Sequence, residues 1–194
     1  MAHLEELNTR LAGEIRELLE RTDEQLVCAE SCTAGLVAAT LAKWPGISSW
    51  LCGSLVVYQT DIKHQWLGIE TNLLNDPSIG PVSKPVTGLL SMKALEKTPQ
   101  ATLSVAVTGH LGPGAPEELD GCVFVALAQR SADGSLLGSE RSQIVAEQMF
   151  RLKDAEGDLV TPSTDYSGRQ LREDRMFRAV SHVLMVVADF LKGK

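Results

Sequence analysis

The chain has 194 residues, 44% of them hydrophobic and 22% charged, with a formal net charge of −7. That length suits one domain spanning 1–194 with a substantial core, and the acidic balance excludes broad non-specific binding to nucleic acid, which needs a basic surface. No apolar stretch approaches the roughly 20 residues needed to span a membrane. The first residues, Met1 to Glu20, are charged and helical in pattern rather than signal-like, so the expected location is the cytoplasm.

Leu4, Leu7, Leu11, Ile15, Leu18 and Leu19 recur at helical spacing and predict an opening amphipathic helix. Residues 25–30 read as a buried strand, followed by an alanine-rich helix over Leu36–Leu41 that ends near Trp44-Pro45-Gly46. Leu51–Tyr58 is a second strand, and Asp61 is placed to cap a short helix through Leu67 that Gly68 ends. After a turn-rich stretch from Asn75 to Pro81, Ser83 reads as the N-cap of a further helix, with Pro85 tolerated in its first turn. Residues 102–107 and Val123–Ala128 are strands three and four. A hairpin connection at 131–135 leads to a fifth, interrupted strand over Leu137–Leu152. Asp154 to Gly168 reads as an extended loop. Phe177, Val180, Leu184, Val187 and Leu191 mark one face of a final helix. Helices alternating with and bracketing strands imply an α/β fold, a three-layer α/β/α sandwich. The late hairpin makes its mainly parallel sheet a mixed one.

Cys28, Cys32, Cys52 and Cys122 show no paired spacing for zinc or a redox motif, so structural thiols in a reducing compartment are expected. The histidines likewise offer no ligand set, and no metal or cofactor is expected. The run from Ala29 through Ser31 and Thr33 to Gly35 passes from strand to helix. Ser31 and Thr33 there serve either as plain helix caps or as part of a phosphate cradle. The Thr108-Gly109-His110 loop, running on to Pro116, is either a tight turn or an anion nest. Ser48, Tyr58 and Lys63 offer a serine nucleophile, a proton relay and an activating lysine, against the default of solvated surface residues.

Together these motifs resemble the CinA C-terminal-domain family, the nicotinamide mononucleotide deamidases. The family's A-E-S-C-T-G-G is matched by Ala29 to Gly35 with Ala34 for a glycine, and its P-G-S-S turn by Pro45-Gly46-Ile47-Ser48. Its G-x-V-x-Y-x-x-x-x-K resembles Ser54 through Tyr58 to Lys63, and its G-A-V-S resembles Gly80-Pro81-Val82-Ser83. The S/T-G-x-x-G-P-G-G loop looks like Thr108 through Ala115. The family's G-D-R is matched by Glu173-Asp174-Arg175, with Arg172 and Arg169 as rivals. Order and spacing agree over about residues 4–130, and 140–168 resembles an insertion. The family's separate N-terminal domain has no counterpart in these 194 residues, so the expectation is a stand-alone form.

The resemblance implies metal-free hydrolysis of the carboxamide of nicotinamide mononucleotide to nicotinate mononucleotide and ammonia. It implies Ser48 as nucleophile, Lys63 as base and Tyr58 in support. Ser31, Thr33, Thr108 and Gly109 would hold the nucleotide, and Arg175 its phosphate. The implied partner is a small-molecule nucleotide, with no nucleic acid or membrane, and the implied assembly a homodimer or higher homo-oligomer. A non-catalytic nucleotide-binding module, an amidase acting on another amidated nucleotide, and a scaffold with a decayed pocket are the alternatives. The trio Ser48, Tyr58 and Lys63 favours the enzyme, because binding alone does not need it. The pocket is expected where the 31–35 junction, the 45–63 segment and the 108–116 loop meet.

Overall fold

The computed structural model describes residues 2–131, 142–152 and 168–194. Helix α1 (Ala2–Thr22) leads into β1 (Leu26–Glu30), α2 (Leu36–Leu41) and, after a 3-10 turn at Ile47–Ser49, β2 (Leu51–Val56). Then come α3 (Thr60–Leu67), α4 (Thr71–Asn75), α5 (Lys84–Lys97), β3 (Leu103–Gly109), β4 (Cys122–Arg130), β5 (Ser142–Arg151) and α6 (Gly168–Lys192).

The strand order is β2-β1-β3-β4-β5. β1 pairs in parallel with both β2 and β3, while β4 runs antiparallel to β3 and β5 antiparallel to β4. The sheet is therefore mixed, and its parallel half is β2-β1-β3.

Alternation along the strands builds the two apolar layers, because successive side chains of a strand point to opposite faces. Leu26, Cys28, Leu103, Val105 and Val107 pack with Ile15 and Leu19 of α1, Leu41 of α2 and Leu184 and Val187 of α6. Val27, Ala29, Ala106 and Ala128 face the other way, toward Leu67 of α3, Leu74 of α4 and Val86, Leu90 and Leu95 of α5. That second face is built of small residues, and Ser91 Oγ lies 2.6 Å from Ser104 Oγ where α5 crosses β3. The three-layer α/β/α sandwich follows.

Ser83 caps α5, its hydroxyl accepting the Val86 N–H at 3.4 Å, and α3 ends at Gly68 in the left-handed conformation at φ 66°. Several boundaries differ from expectation. Gln59 rather than Asp61 precedes α3, and Asp61 sits within its first turn. β2 stops at Val56, where the Val57 N–H turns to the Glu30 carbonyl at 2.8 Å. The single turn α4 was not anticipated, whereas α6 begins at Gly168, where the expected loop ends. The hairpin residues beyond Ser131, the start of the fifth strand before Ser142 and the 154–167 stretch lie outside the described residues. No helix among the described residues is long and apolar enough to cross a membrane.

Candidate active site

The chain passes from β1 to β2 on one side and then to β3 on the other, so the sheet has a topological switch at β1, between the C-terminal ends of β1 and β3. Open α/β sheets bind ligands in such a crevice. A cleft of about 390 Å³ lies there, lined by residues that follow three parallel strands. Ser31 and Cys32 come after β1, Tyr58, Thr60 and Lys63 after β2, and the run from Gly109 to Pro116 after β3. Pro81, Val82 and Arg172 complete the wall.

Among the described residues Lys63 is the largest fully buried side chain, 2% exposed. Its Nζ lies 2.8 Å from the Val57 carbonyl, 3.3 Å from the Tyr58 carbonyl and 3.1 Å from Ser31 Oγ. Among the described residues no carboxylate pairs with it. Burial lowers its pKa from 10.5 to about 8, the Cys32 thiol acting weakly the other way. An ammonium donates to all three oxygens. A neutral amine donates to the two carbonyls and turns its lone pair to the Ser31 hydroxyl, which then donates. The second arrangement is that of a general base on a serine nucleophile.

Glu30, 1% exposed, ends β1 directly before Ser31. Its carboxylate accepts the main-chain N–H groups of Gly35 (2.9 Å), Val37 (3.0 Å) and Ala38 (3.0 Å), and the hydroxyls of Thr33 (2.7 Å) and Ser54 (2.9 Å). An internal carboxylate thus already takes the amides at the start of α2. Of the two alternatives for this junction, these bonds are those of a helix cap supplied from within the chain. Thr33, 1% exposed, is a donor to Glu30 and does not line the cleft.

Ser48 is not brought to Lys63. It is exposed and precedes β2, whereas Lys63 follows it. The parallel register sets Leu26 against Leu51, and the Leu26 N–H reaches the Trp50 carbonyl at 2.7 Å, so Ser48 sits at the N-terminal ends of the strands. A five-residue strand at about 3.3 Å per residue puts roughly 17 Å between the two ends. The serine that meets Lys63 is Ser31. The expected contribution of the 45–63 segment shrinks to its last part, from Tyr58 onward.

Thr108 is fully buried beneath the cleft, its Oγ1 2.8 Å from Thr87 Oγ1, and ties β3 to α5. Gly109 does line the cleft. A Cβ there would stand 2.9 Å from Val123 Cγ2 and 3.0 Å from Cys32 Sγ, so the strand end needs glycine to approach its neighbours. Burial pushes the Cys32 thiol up to about 12, with Glu30 adding to the shift and Arg172 and Lys63 opposing it, so it stays protonated beside Ser31. His110 is a wall residue. Desolvation holds its imidazole below the usual value, against the pull of Asp120.

The arginine expected to hold phosphate, Arg175, is committed elsewhere. Its guanidinium donates to both oxygens of Asp120, at 2.7 and 3.1 Å, and to the Leu111 carbonyl at 3.3 Å. One helical turn earlier, Arg172 faces the cleft, donating to Tyr58 Oη at 2.5 Å and to the Gly112 carbonyl at 2.8 Å. Together the two arginines strap the glycine loop to α6. Of the residues singled out in the sequence, Ser31, Lys63, Tyr58 and Gly109 meet at the cleft. Thr33, Thr108 and Arg175 build its frame, and Ser48 lies apart. Chain direction is the signal that separates Ser31 from Ser48, because residues after parallel strands share one end of a sheet. Among the described residues no three His, Cys, Asp or Glu side chains cluster as metal ligands.

The family profile of the CinA C-terminal domain matches residues 8–150. A CinA-like protein of Chlorobium phaeovibrioides is 35% identical over 127 residues, covering 64% of this chain and 29% of that protein. The chain therefore spans under a third of the length of this curated relative. Two solved structures share the fold. A CinA superfamily protein from Klebsiella pneumoniae superposes with a TM-score of 0.75 at 22% identity, covering 96% of this chain and 99% of that one. A competence/damage-inducible protein from Agrobacterium tumefaciens gives 0.74 at 24% identity, with 96% of each chain covered.

Proposed function

The chain belongs to the CinA C-terminal-domain family, and from that premise we propose that it hydrolyses the carboxamide of nicotinamide mononucleotide. The observation that carries the reading is Lys63 Nζ, buried without a counter-charge among the described residues and 3.1 Å from Ser31 Oγ. A lysine kept only for attraction of an anion would gain nothing from a site that disfavours its charge.

In this reading the neutral Lys63 amine takes the Ser31 proton as Oγ attacks the amide carbon. The oxyanion forms beside the Cys32 main-chain N–H, the donor that directly follows the nucleophile. Lys63 then returns its proton to the nitrogen as the C–N bond breaks and ammonia leaves. A water, deprotonated by the same amine, attacks the acyl-serine ester and releases nicotinate mononucleotide with Ser31 restored. Tyr58 acts through its carbonyl, which holds Lys63, and through its phenol, which holds Arg172. Arg172 is the guanidinium suited to the phosphate. The glycine loop from Gly109 leaves main-chain groups open to the ribose and ring.

Ammonia release measured across nicotinamide mononucleotide and a panel of amidated nucleotides tests the reading. Turnover of nicotinamide mononucleotide that vanishes in Ser31→Ala is the expected result. Tight binding with no ammonia from any member overturns it in favour of a nucleotide-binding module. Turnover of another member alone replaces the substrate and keeps the chemistry.

A further inference from the structure

We propose that Glu30 is a positioning residue that sets both Ser31 and Lys63 in register for reaction; this rests on the reading of Ser31 as nucleophile. Glu30 carries no cation partner among the described residues. A buried carboxylate is costly unless its lone pairs are met. Here five donors converge on it from three places: the turn after Ser31, the first residues of α2, and Ser54 in the middle of β2.

Two of those attachments bear on the reacting pair. On the nucleophile side, the turn that carries Ser31 passes through Ala34 at φ 53° and Gly35 at φ 96°. The left-handed conformation costs a non-glycine residue about 1 kcal/mol or more, so contacts must hold Ala34 there. Glu30 supplies them, through the Gly35 N–H and the Thr33 hydroxyl on either side of that residue. The Ser31 N–H is fixed on the Val107 carbonyl at 3.0 Å. Its hydroxyl direction is then set by the backbone that Glu30 braces.

On the base side, Glu30 grips β2 and the residue that follows it. Its side chain accepts from Ser54, and its own carbonyl accepts the Val57 N–H at 2.8 Å. The Val57 carbonyl is the shortest contact of Lys63 Nζ. One residue therefore links the strand that presents the nucleophile to the strand end that presents the base. Displacements of about 1 Å at such a pair cost roughly 100-fold in rate.

Glu30→Gln tests this, because its amide NH₂ must face N–H or O–H donors whichever way it turns. Steady-state kinetics with nicotinamide mononucleotide are measured beside the rate at which a fluorophosphonate labels Ser31. The expected result is a fall in kcat of about 100-fold with KM within about threefold, and a parallel fall in labelling. Wild-type kcat and labelling in folded Glu30→Gln overturn the proposal, as does a loss carried by KM alone. Should Glu30→Gln not fold, Ser54→Ala decides, since it removes one bond on the β2 side. A several-fold lower kcat at unchanged KM supports the link, and wild-type kcat overturns it. Ser31→Ala separates the two claims. If that variant keeps its turnover, the nucleophile reading fails and this proposal with it. If it is inactive while Glu30→Gln is not, only the positioning role fails.

Discussion

Lys63 Nζ stands 3.1 Å from Ser31 Oγ, although 32 residues separate the two in the chain. The carbonyls of Val57 and Tyr58, just past β2, take the remaining amine donors, so a neutral Lys63 has one direction left for its lone pair, toward the serine. Lys63→Arg keeps a positive charge and removes the usable base. Turnover should fall roughly 1,000-fold, within the span of positioned general bases, while binding of the nucleotide by calorimetry changes little. Ser31→Ala should match it, and Ser48→Ala should retain wild-type rate.

The pH dependence follows from the direction of the Lys63 shift. Burial lowers its pKa from 10.5 to about 8, so the free amine dominates only above that value. kcat/KM should rise about tenfold per pH unit below 8 and level off above it. Stability carries the opposite face of the same shift. Between about pH 8 and 10.5 the unfolded chain binds this proton and the folded chain does not, so stability contributed by the group increases with pH across that window. Lys63→Met should flatten that rise in urea melts taken at pH 7.5 and 10.

Arg172 and Arg175, one helical turn apart, should fail in different ways. Arg172→Ala is expected to raise KM for the nucleotide about 10- to 100-fold, the worth of a charged hydrogen bond, with the melting temperature near wild type. Arg175→Ala breaks a largely buried pair with Asp120 and should cost about 3 kcal/mol of stability in denaturant titrations. The converse pattern would return the phosphate contact to Arg175.

Much of the architecture was readable because its signals are local. The helical spacing of Leu11, Ile15 and Leu18 and the cap at Ser83 depend on neighbours in the chain, and α1 and α5 formed where they imply. α4 escaped because Thr71–Asn75 is one turn, too short to show a period. The site was legible as a set of motifs and not as an arrangement. Ser48 lies nearer to Lys63 in sequence than Ser31 does, and the family resemblance pointed to it, but β2 carries the two to opposite ends. Glu30 fell inside a matched motif and at the end of a strand read as buried, but neither signal told what its carboxylate would bind. Only the convergence of amides from α2 reveals that.

Gly109→Ala should be damaging at the start of the loop. The added methyl meets Val123 Cγ2 at 2.9 Å, Cys32 Sγ at 3.0 Å and the Cys122 carbonyl at 3.1 Å. Backbone among those neighbours means β3 and β4 must separate. A loss of about 1–3 kcal/mol is expected in thermal or urea melts. Turnover should drop as well, because the displaced Cys32 adjoins Ser31, the proposed nucleophile.

The antiparallel half of the sheet gives the molecule a working end and a handling end. β4 starts at Cys122, beside the cleft, and leaves the sheet at Arg130, whose N–H reaches the Thr102 carbonyl at the opposite pole. β5 enters at that same far pole, with Ser142 paired to Arg130, and exits at Arg151 opposite Cys122. Peptide tags, dyes or surface tethers spliced between Ser131 and Ser142 would emanate from the pole remote from Ser31. The same cargo placed just after Leu152 would crowd the entrance. For immobilised assays or fusion reporters, the first position is the one that leaves diffusion into the cleft unhindered.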